Sequence, residues 1–272
     1  MDVTRSKTAI SEDLIPALQR LLQERLENWP EQWERYHWPG YTYDHTLRVR
    51  SLAVAMAPDE GADAVIVELA ALLHDIAKDA GEDHGEAGAR EAERILRSRG
   101  VAGDALGAVC SAIATHTGKN TPDHPVENRV LGDADLIDAN FGLVAAWRFI
   151  TIRAGHETPL AGTIESMEEW LPRKDALMEK LLTETGRRIA RSRSKRMHAF
   201  YIDLRAAFES ESPEHRYSLA NAARHMAKSY TTGRLSAQVE QIAADADRHA
   251  GGTTPDVEEL CRLLRAEIAG EA

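Results

Sequence analysis

The chain has 272 residues, of which 43% are hydrophobic and 28% charged, a composition typical of a globular protein that builds its own core. Its formal net charge of −11 argues against a nucleic-acid groove as the main working surface, although a bound divalent cation can still attract a small phosphorylated substrate. The two cysteines are too few for a disulfide framework, and no apolar stretch has the length of a signal peptide core or a membrane span, so we predict a cytoplasmic protein.

Helical periodicity dominates, and no run of alternating apolar and polar residues predicts a strand. The first predicted helix follows Ser11. After a loop at 38–43, a second helix carries His45, and further helices are predicted at 62–78 and 85–99. The next helix ends near His116, one or two helices occupy 127–150, and a long helical stretch covers 172–208. The last predicted helices lie near 215–230, at 234–249 and after 255. The sequence therefore predicts an all-α fold.

We divide the predicted helices into two parts. Residues 1–210 are predicted to form a helical catalytic domain with an N-terminal helix, and residues 211–272 a helical C-terminal extension whose role the sequence leaves open. The segment RRIARSRSKR (187–196) has six basic residues in ten, which indicates either a solvated helix face or a rim that attracts phosphate. An assembly of identical chains is left open.

The feature that indicates chemistry is a set of histidines and aspartates at the ends of separate helices. His74 and Asp75 are the only adjacent His-Asp pair in the chain, and they close a hydrophobic helix. A single histidine on an apolar face is more often a core residue than a ligand, but several helices that each offer one make coincidence less plausible. Imidazole nitrogen and carboxylate oxygen together suit Zn, Mn, Fe, Co or Ni better than Ca.

Three segments resemble the HD-domain superfamily of metal-dependent phosphohydrolases. They are YDHTLRV, with His45 followed by Arg48, LLHDIAK, with His74 and Asp75, and GDADLID, with Asp135. The resemblance implies an HD-domain helical bundle of four or five packed helices. It also implies that His45, His74, Asp75 and Asp135 are ligands of one metal ion.

Two further segments resemble those of superfamily members that hold two metals. They are DHGEAGA (83–89) and AIATHTG (112–118). The resemblance implies His84 and His116 as ligands of a second ion, with Asp75 bridging the two. The alternatives are that His84 neighbours a helix N-cap and that His116 interacts with the dipole at a helix C-terminus.

The function implied is hydrolysis of a phosphate ester or phosphoanhydride, with a nucleotide or another small phosphorylated metabolite as the substrate and one or two divalent ions as cofactor. We predict Asp75 and Lys78 as catalytic residues, because a bridging carboxylate fixes the separation of two ions and an ammonium group neutralises a phosphate oxygen or orients water. Lys78 is also a candidate for substrate binding, as is Arg48. The alternative for Lys78 is an ion pair with Asp75 or Asp79, and for Arg48 a structural carboxylate pair.

The aspartates at positions 133 and 138 flank Asp135, and we predict for them a hydrogen bond to a ligand histidine. Two other functions stay open. A di-iron oxygenase that cleaves a C–C or C–P bond uses a very similar ligand set. A binding or regulatory module would keep the site for nucleotide sensing, but six intact candidate ligands argue against it.

Overall fold

A computed structural model of the protein describes residues 11–27, 40–210, 216–228 and 234–271. Within these ranges it has twelve α-helices: α1 (Leu14–Leu26), α2 (Tyr41–Glu60), α3 (Ala64–Leu73), α4 (His84–Arg97), α5 (Gly103–Thr115), α6 (Val126–Asn140), α7 (Leu143–Gly155), α8 (Leu160–Asp175), α9 (Glu184–Glu209), α10 (Leu219–Lys228), α11 (Leu235–Arg248) and α12 (Pro255–Ala269). Short 3-10 helices precede α4 (Lys78–Asp83) and α9 (Ala176–Lys180). Apart from one isolated bridge, the described residues contain no β-structure, which confirms the all-α prediction.

Helix α3 lies at the centre of the first apolar cluster, because its sequence AVIVELAALL is almost entirely apolar. The carboxylate of Asp63 starts the helix by accepting the backbone N–H groups of Val65 and Ile66, at 2.9 and 3.3 Å. Each fully buried Leu contributes about 1.5–3 kcal/mol. Residues of α1, α2, α4, α5 and α6 pack in the same cluster. The ends of these helices are therefore held close to one another.

The second apolar cluster is built from α7, α8, the C-terminal half of α9 and α10–α12. Trp147 of α7 is fully buried in it. The buried carboxylate of Glu267 in α12 accepts the backbone N–H of Val144, at 3.1 Å, and so ties the last helix to the start of α7. Tyr41 of α2 belongs to the second cluster and Leu181 to the first; otherwise the two clusters divide the chain near residue 142, with α9 contributing to both. The division into residues 1–210 and 211–272 stays a prediction.

Two boundaries near the predicted site differ from the sequence prediction. The predicted loop 38–43 ends at Gly40, because Tyr41 already begins α2, and its first two residues lie outside the described residues. The predicted helix 62–78 ends at Leu73. A tighter turn follows, in which the backbone N–H of Ile76 bonds to the carbonyl of Leu73 at 3.2 Å.

The predicted helical stretch 172–208 is interrupted before α9. Thr183 begins α9 by accepting the backbone N–H of Gly186, at 3.0 Å. In the basic segment 187–196, Arg193 is buried and four of the other five basic residues are exposed, which fits a solvated helix face. None of the described helices is both long and apolar enough to cross a membrane.

Candidate metal centre

The four residues predicted to ligate one ion lie around a common point. The ring Nε2 of His45 lies 3.0 Å from Oδ1 of Asp135, although 90 positions separate the two residues in the chain. The same nitrogen lies 3.8 Å from Oδ2 of Asp75. Nε2 of His74 lies 3.5 Å from that Asp75 oxygen and 3.9 Å from the Asp135 oxygen. The donor atoms of His45, His74 and Asp135 form one group spaced closely enough to hold a metal ion.

His84 and His116 lie on the other side of Asp75. Their Nε2 atoms are 3.5 and 3.6 Å from Oδ1 of Asp75, the oxygen that does not face His45. His74, Asp75 and His116 form a second group of metal-ligand geometry. The rings of His84 and His116 meet edge to face, with centroids 5.1 Å apart. The structure therefore brings all six candidate ligands together and places one oxygen of Asp75 toward each group.

Three of the histidines share one anchoring device. His74, His84 and His116 each follow the last residue of a helix, where the final carbonyls lack partners within the helix. Each ring bonds through Nδ1 to the carbonyl three positions earlier, at 2.8, 2.5 and 2.6 Å respectively. A carbonyl only accepts, so Nδ1 carries the proton and Nε2 offers a lone pair to the cluster. The carbonyl contact at each helix end therefore leaves Nε2 as the unprotonated ring nitrogen, the form that binds a metal ion.

His45 is oriented instead by a carboxylate. Its Nδ1 lies 2.7 Å from Oδ2 of Asp138, one turn beyond Asp135 on α6, so the predicted role of Asp138 matches its position. Burial disfavours the imidazolium form, but the hydrogen bonds to Asp135 and Asp138 outweigh it and raise the pKa of His45 to about 10. Arg48 is 2% exposed and donates Nε and Nη2 to the two oxygens of Asp138, at 2.8 and 3.0 Å. Arg48 therefore forms a structural ion pair with Asp138, which is the alternative to the predicted contact with substrate.

Asp133 does not contact a ligand histidine, contrary to prediction. Its carboxylate accepts the backbone N–H groups of Leu182 and Thr183, at distances between 2.7 and 3.0 Å, and the hydroxyl of Thr183 at 2.6 Å. It points away from the cluster because it lies two positions before Asp135 on the same helix. Asp133 therefore fixes the segment before α9, which forms one wall of a cleft.

Two glycines allow the helix that begins at His84 to approach α5. A Cβ on Gly85 would lie 3.0 Å from a backbone carbonyl oxygen of α5, and one on Gly88 would lie 3.2 Å from the carbonyl oxygen of His74. Side chains at these positions would push α4 outward. The glycines in HGEAGA are therefore what lets His84 come within ring contact of His116.

Lys78 lies at the edge of the cluster. Its Nζ donates to Oδ1 of Asp75 at 2.9 Å, while its side chain remains 28% exposed. Burial alone would raise the pKa of Asp75, but the charge of Lys78 and the neighbouring histidines hold it well below its ordinary value. Burial lowers the pKa of His74 to about 4, which leaves its ring neutral near pH 7. Asp75 is thus a carboxylate and His74 a neutral imidazole, the forms that bind metal.

The donor atoms themselves fit a metal ion. Nε2 of His74, Nε2 of His116 and Oδ2 of Asp75 are buried and make no hydrogen bond. Buried polar atoms are nearly always paired, and three unpaired ones in a single cluster need an explanation. Imidazole nitrogens and carboxylate oxygens are ligands of divalent transition metals, so a cation coordinated at this point accounts for all three atoms.

A cleft of about 560 Å³ opens onto the cluster. Its walls include the ligands His116 and Asp135, the apolar Leu136 and Leu182, and the polar Asn120 and Asn140. None of the last four was predicted, because the sequence does not show which side of α6 faces the segment before α9.

Tyr41 is a further residue that the sequence prediction missed. Its ring stacks on His45, with centroids 5.9 Å apart and planes 4° from parallel. Tyr41 lies four positions before His45, so the i, i+4 spacing would have indicated this contact had α2 been predicted to begin there.

Comparison with known proteins agrees with this geometry. The HD domain matches residues 42–140. A predicted HD superfamily hydrolase from an uncultured Thermotogales bacterium is 25% identical, with 72% of this chain and 93% of that chain covered and a TM-score of 0.52. Bacillus subtilis YpgQ in complex with ADP is 21% identical, with coverages of 73% and 98% and a TM-score of 0.50. Listeria innocua Lin1889 is 19% identical, with coverages of 74% and 98% and a TM-score of 0.52.

A comparison with proteins of curated function gives no match. The matched segment 42–140 contains every candidate metal ligand, from His45 to Asp135, and the segment folds as helices alone. The chain therefore contains an HD domain at residues 42–140.

Proposed function

We propose that this protein is a metal-dependent phosphohydrolase with two metal positions that share Asp75. The observation that carries the proposal is the orientation of this carboxylate. Oδ2 faces His45 and His74, at 3.8 and 3.5 Å, while Oδ1 faces His84 and His116, at 3.5 and 3.6 Å. A bridging carboxylate between two groups of histidines is what a two-metal hydrolytic site requires.

The proposed ligands are His45, His74, Asp75 and Asp135 for one ion and Asp75, His84 and His116 for the other. Divalent ions held there would supply Lewis-acid stabilisation of phosphoryl oxygens and would lower the pKa of bound water. The test below determines which metal, among Mn, Fe, Co, Ni and Zn, supports the reaction.

The protein's own contribution to the reaction is orientation and charge. The buried Asp138 holds the ring of His45, and the three carbonyl contacts hold the other rings, so the ligand atoms are fixed before a substrate enters. Lys78 is catalytic in this proposal, because its partly exposed ammonium can turn from Asp75 toward a phosphate oxygen at the mouth of the cluster.

The substrate proposed is a nucleotide or another small phosphorylated metabolite. The cleft of about 560 Å³ has the size of pockets that hold small molecules, and its apolar and amide side chains suit an organic group beside the scissile phosphate. ADP belongs among the first compounds to test, because the YpgQ structure contains it. The acidic chain and the enclosed ligand cluster argue against nucleic acid as a substrate.

The test is metal analysis of the untreated protein, followed by a phosphate-release screen. The protein is stripped with a chelator, reloaded in turn with Mn²⁺, Co²⁺, Ni²⁺, Fe²⁺ and Zn²⁺, and assayed with nucleotides and sugar phosphates. We expect metal-dependent release of phosphate or pyrophosphate. Oxygen uptake by the iron-loaded protein without phosphate release from any substrate would instead support the di-iron oxygenase and overturn the proposal.

A further inference from the structure

The cleft beside the ligand cluster has a cation that the fold itself does not use. Lys180 is the last residue of the 3-10 helix Ala176–Lys180, and it lines the cleft together with the ligands His116 and Asp135. Among the described residues that line this cleft, it is the only lysine or arginine. Its ammonium group makes no hydrogen bond and no ion pair within the described parts of the chain.

The backbone that follows Lys180 is fixed to α6. Leu181 is fully buried, and the next two backbone N–H groups donate to the carboxylate of Asp133, at distances between 2.7 and 3.0 Å. Asp133 is 3% exposed and lies two positions before the ligand Asp135 on the same helix. One helix therefore holds both a metal ligand and the wall of the cleft that carries Lys180.

Lys180 lies nearer to solvent than the metal ligands do. The side chain of Lys180 is exposed, whereas His116 is 3% exposed and Asp75 is 1% exposed. A phosphate group bound at the metal ions would lie at the buried end, where Lys78 also lies, in contact with Asp75. A cleft of about 560 Å³ has room for the rest of a small molecule as well. The part of a substrate that extends from the ions toward solvent is therefore the part that Lys180 can contact.

The charges around the cleft make a second anionic group dependent on a cation. The carboxylates of Asp133, Asp135 and Glu179 line it, and the chain has a net charge of −11. Asp133 is occupied by its backbone donors and Asp135 faces His45, but the exposed Glu179 has no partner among the described residues. An anion beyond the metal ions would be repelled by these charges, and an ammonium group in contact with it would offset that repulsion.

We propose that Lys180 is a substrate-binding residue, which selects substrates that have an anionic group in addition to the phosphate at the metal ions. This inference rests on the proposed function and narrows it. The substrate class is small molecules with a second negative group, such as a further phosphate of an anhydride chain, rather than phosphate monoesters of neutral alcohols. Lys180 contacts none of the metal ligands, so its removal should leave the metal ions bound.

The test measures the binding of phosphonates, which have no P–O–C or P–O–P bond to hydrolyse. Propylphosphonate has one anionic group, propane-1,3-diphosphonate adds a second at the other end of the same carbon chain, and pentane-1,5-diphosphonate places it farther away. Each is titrated into the metal-loaded protein, with free metal and ionic strength held constant. We expect at least one diphosphonate to bind tighter than propylphosphonate.

Lys180→Met should reduce that preference by about five- to tenfold, the range from an exposed ion pair to a charge-assisted hydrogen bond. It should leave the propylphosphonate affinity and the metal content unchanged. Lys180→Arg keeps the charge and should keep the preference. The matched control is Lys195→Met, which removes the same charge from an exposed position on α9 and should change no affinity. Glu179→Gln removes the opposite charge from the same wall and should not weaken diphosphonate binding.

Thermal unfolding and circular dichroism establish that each variant is folded. The inference is overturned if the wild type prefers neither diphosphonate, or if Lys180→Met weakens all probes equally or none. It is also overturned if Lys180→Met loses metal, or if Glu179→Gln weakens diphosphonate binding as much as Lys180→Met does, because the wall would then act through its structure rather than through the charge of Lys180.

Failure of this inference and failure of the proposed function give different results. A protein that prefers a diphosphonate through Lys180 but releases phosphate from no compound contradicts the phosphohydrolase assignment and leaves the role of Lys180 in binding standing. A protein that releases phosphate but shows no such preference contradicts the role of Lys180 alone.

Discussion

Replacing Asp75 with asparagine changes the chemistry of the site with little change in shape. The side chain is 1% exposed, and asparagine has nearly the same volume but no charge and only one acceptor oxygen. That oxygen can face the pair His45 and His74 or the pair His84 and His116, but not both. Asp75→Asn therefore removes the shared ligand and leaves the rest of each group in place.

The expected magnitude follows from these contacts. Loss of a residue that only orients a metal ligand weakens metal binding by about 10–100-fold, so loss of a shared ligand should exceed about 100-fold. Turnover should fall by about a thousandfold or more, which corresponds to about 4 kcal/mol in the barrier. The fold of the metal-free protein should persist, because asparagine has nearly the same volume at this buried position.

Metal content per chain, chelator competition, phosphate release and thermal unfolding are measured on the same preparations. The control is Asp79→Asn, which removes the same charge four positions later from an exposed side chain and should behave as wild type. If Asp75→Asn keeps full metal content and full activity, the two-metal assignment is wrong. If it loses the fold, comparison with Asp75→Glu separates a loss of charge from a loss of packing.

Four other predictions follow. His84→Ala and His116→Ala should each lower the metal content from about two to about one per chain, and unchanged content in both would reduce the site to a single metal. Asp138→Asn removes the negative charge and leaves one acceptor oxygen for both His45 and Arg48, so it should weaken metal binding by about 10–100-fold in chelator competition. Lys78→Ala should leave metal bound but lower turnover or raise KM for phosphate release. Because the pKa of His45 is raised to about 10 without metal, metal binding must displace its proton, so calorimetric affinity should increase as the pH rises toward that value.

The ligand cluster could be predicted from the sequence because each ligand lies in a short segment with its own local signal. His74 and Asp75 end an apolar helix, and His45 and Asp135 lie in segments that resemble those of one superfamily. Periodicity alone would not have joined them, since 90 positions separate His45 from Asp135. The resemblance indicated that His45 and Asp135 lie close together, and the structure gives the distance between them.

The surroundings of the cluster could not be predicted in the same way. Asp133 and Asp138 both flank Asp135 in the sequence, yet Asp138 bonds to His45 and Asp133 bonds to the backbone before α9. Which helix faces each side of α6 is a tertiary fact with no local signature.

The position of the ligands at helix ends has a physical consequence beyond anchoring. The carbonyls of the last helical turn lack partners within the helix, and a histidine just past that turn can bond to one of them through its ring. His74, His84 and His116 all use such a carbonyl, so each ring is held by backbone rather than by a side chain that could change its rotamer. The second half of α3 supplies the rigid support behind His74, because its residues from Leu69 to Leu73 are all buried. A ligand set fixed by helix ends around an apolar helix is therefore pre-formed, and substrate binding energy need not be spent on ordering it.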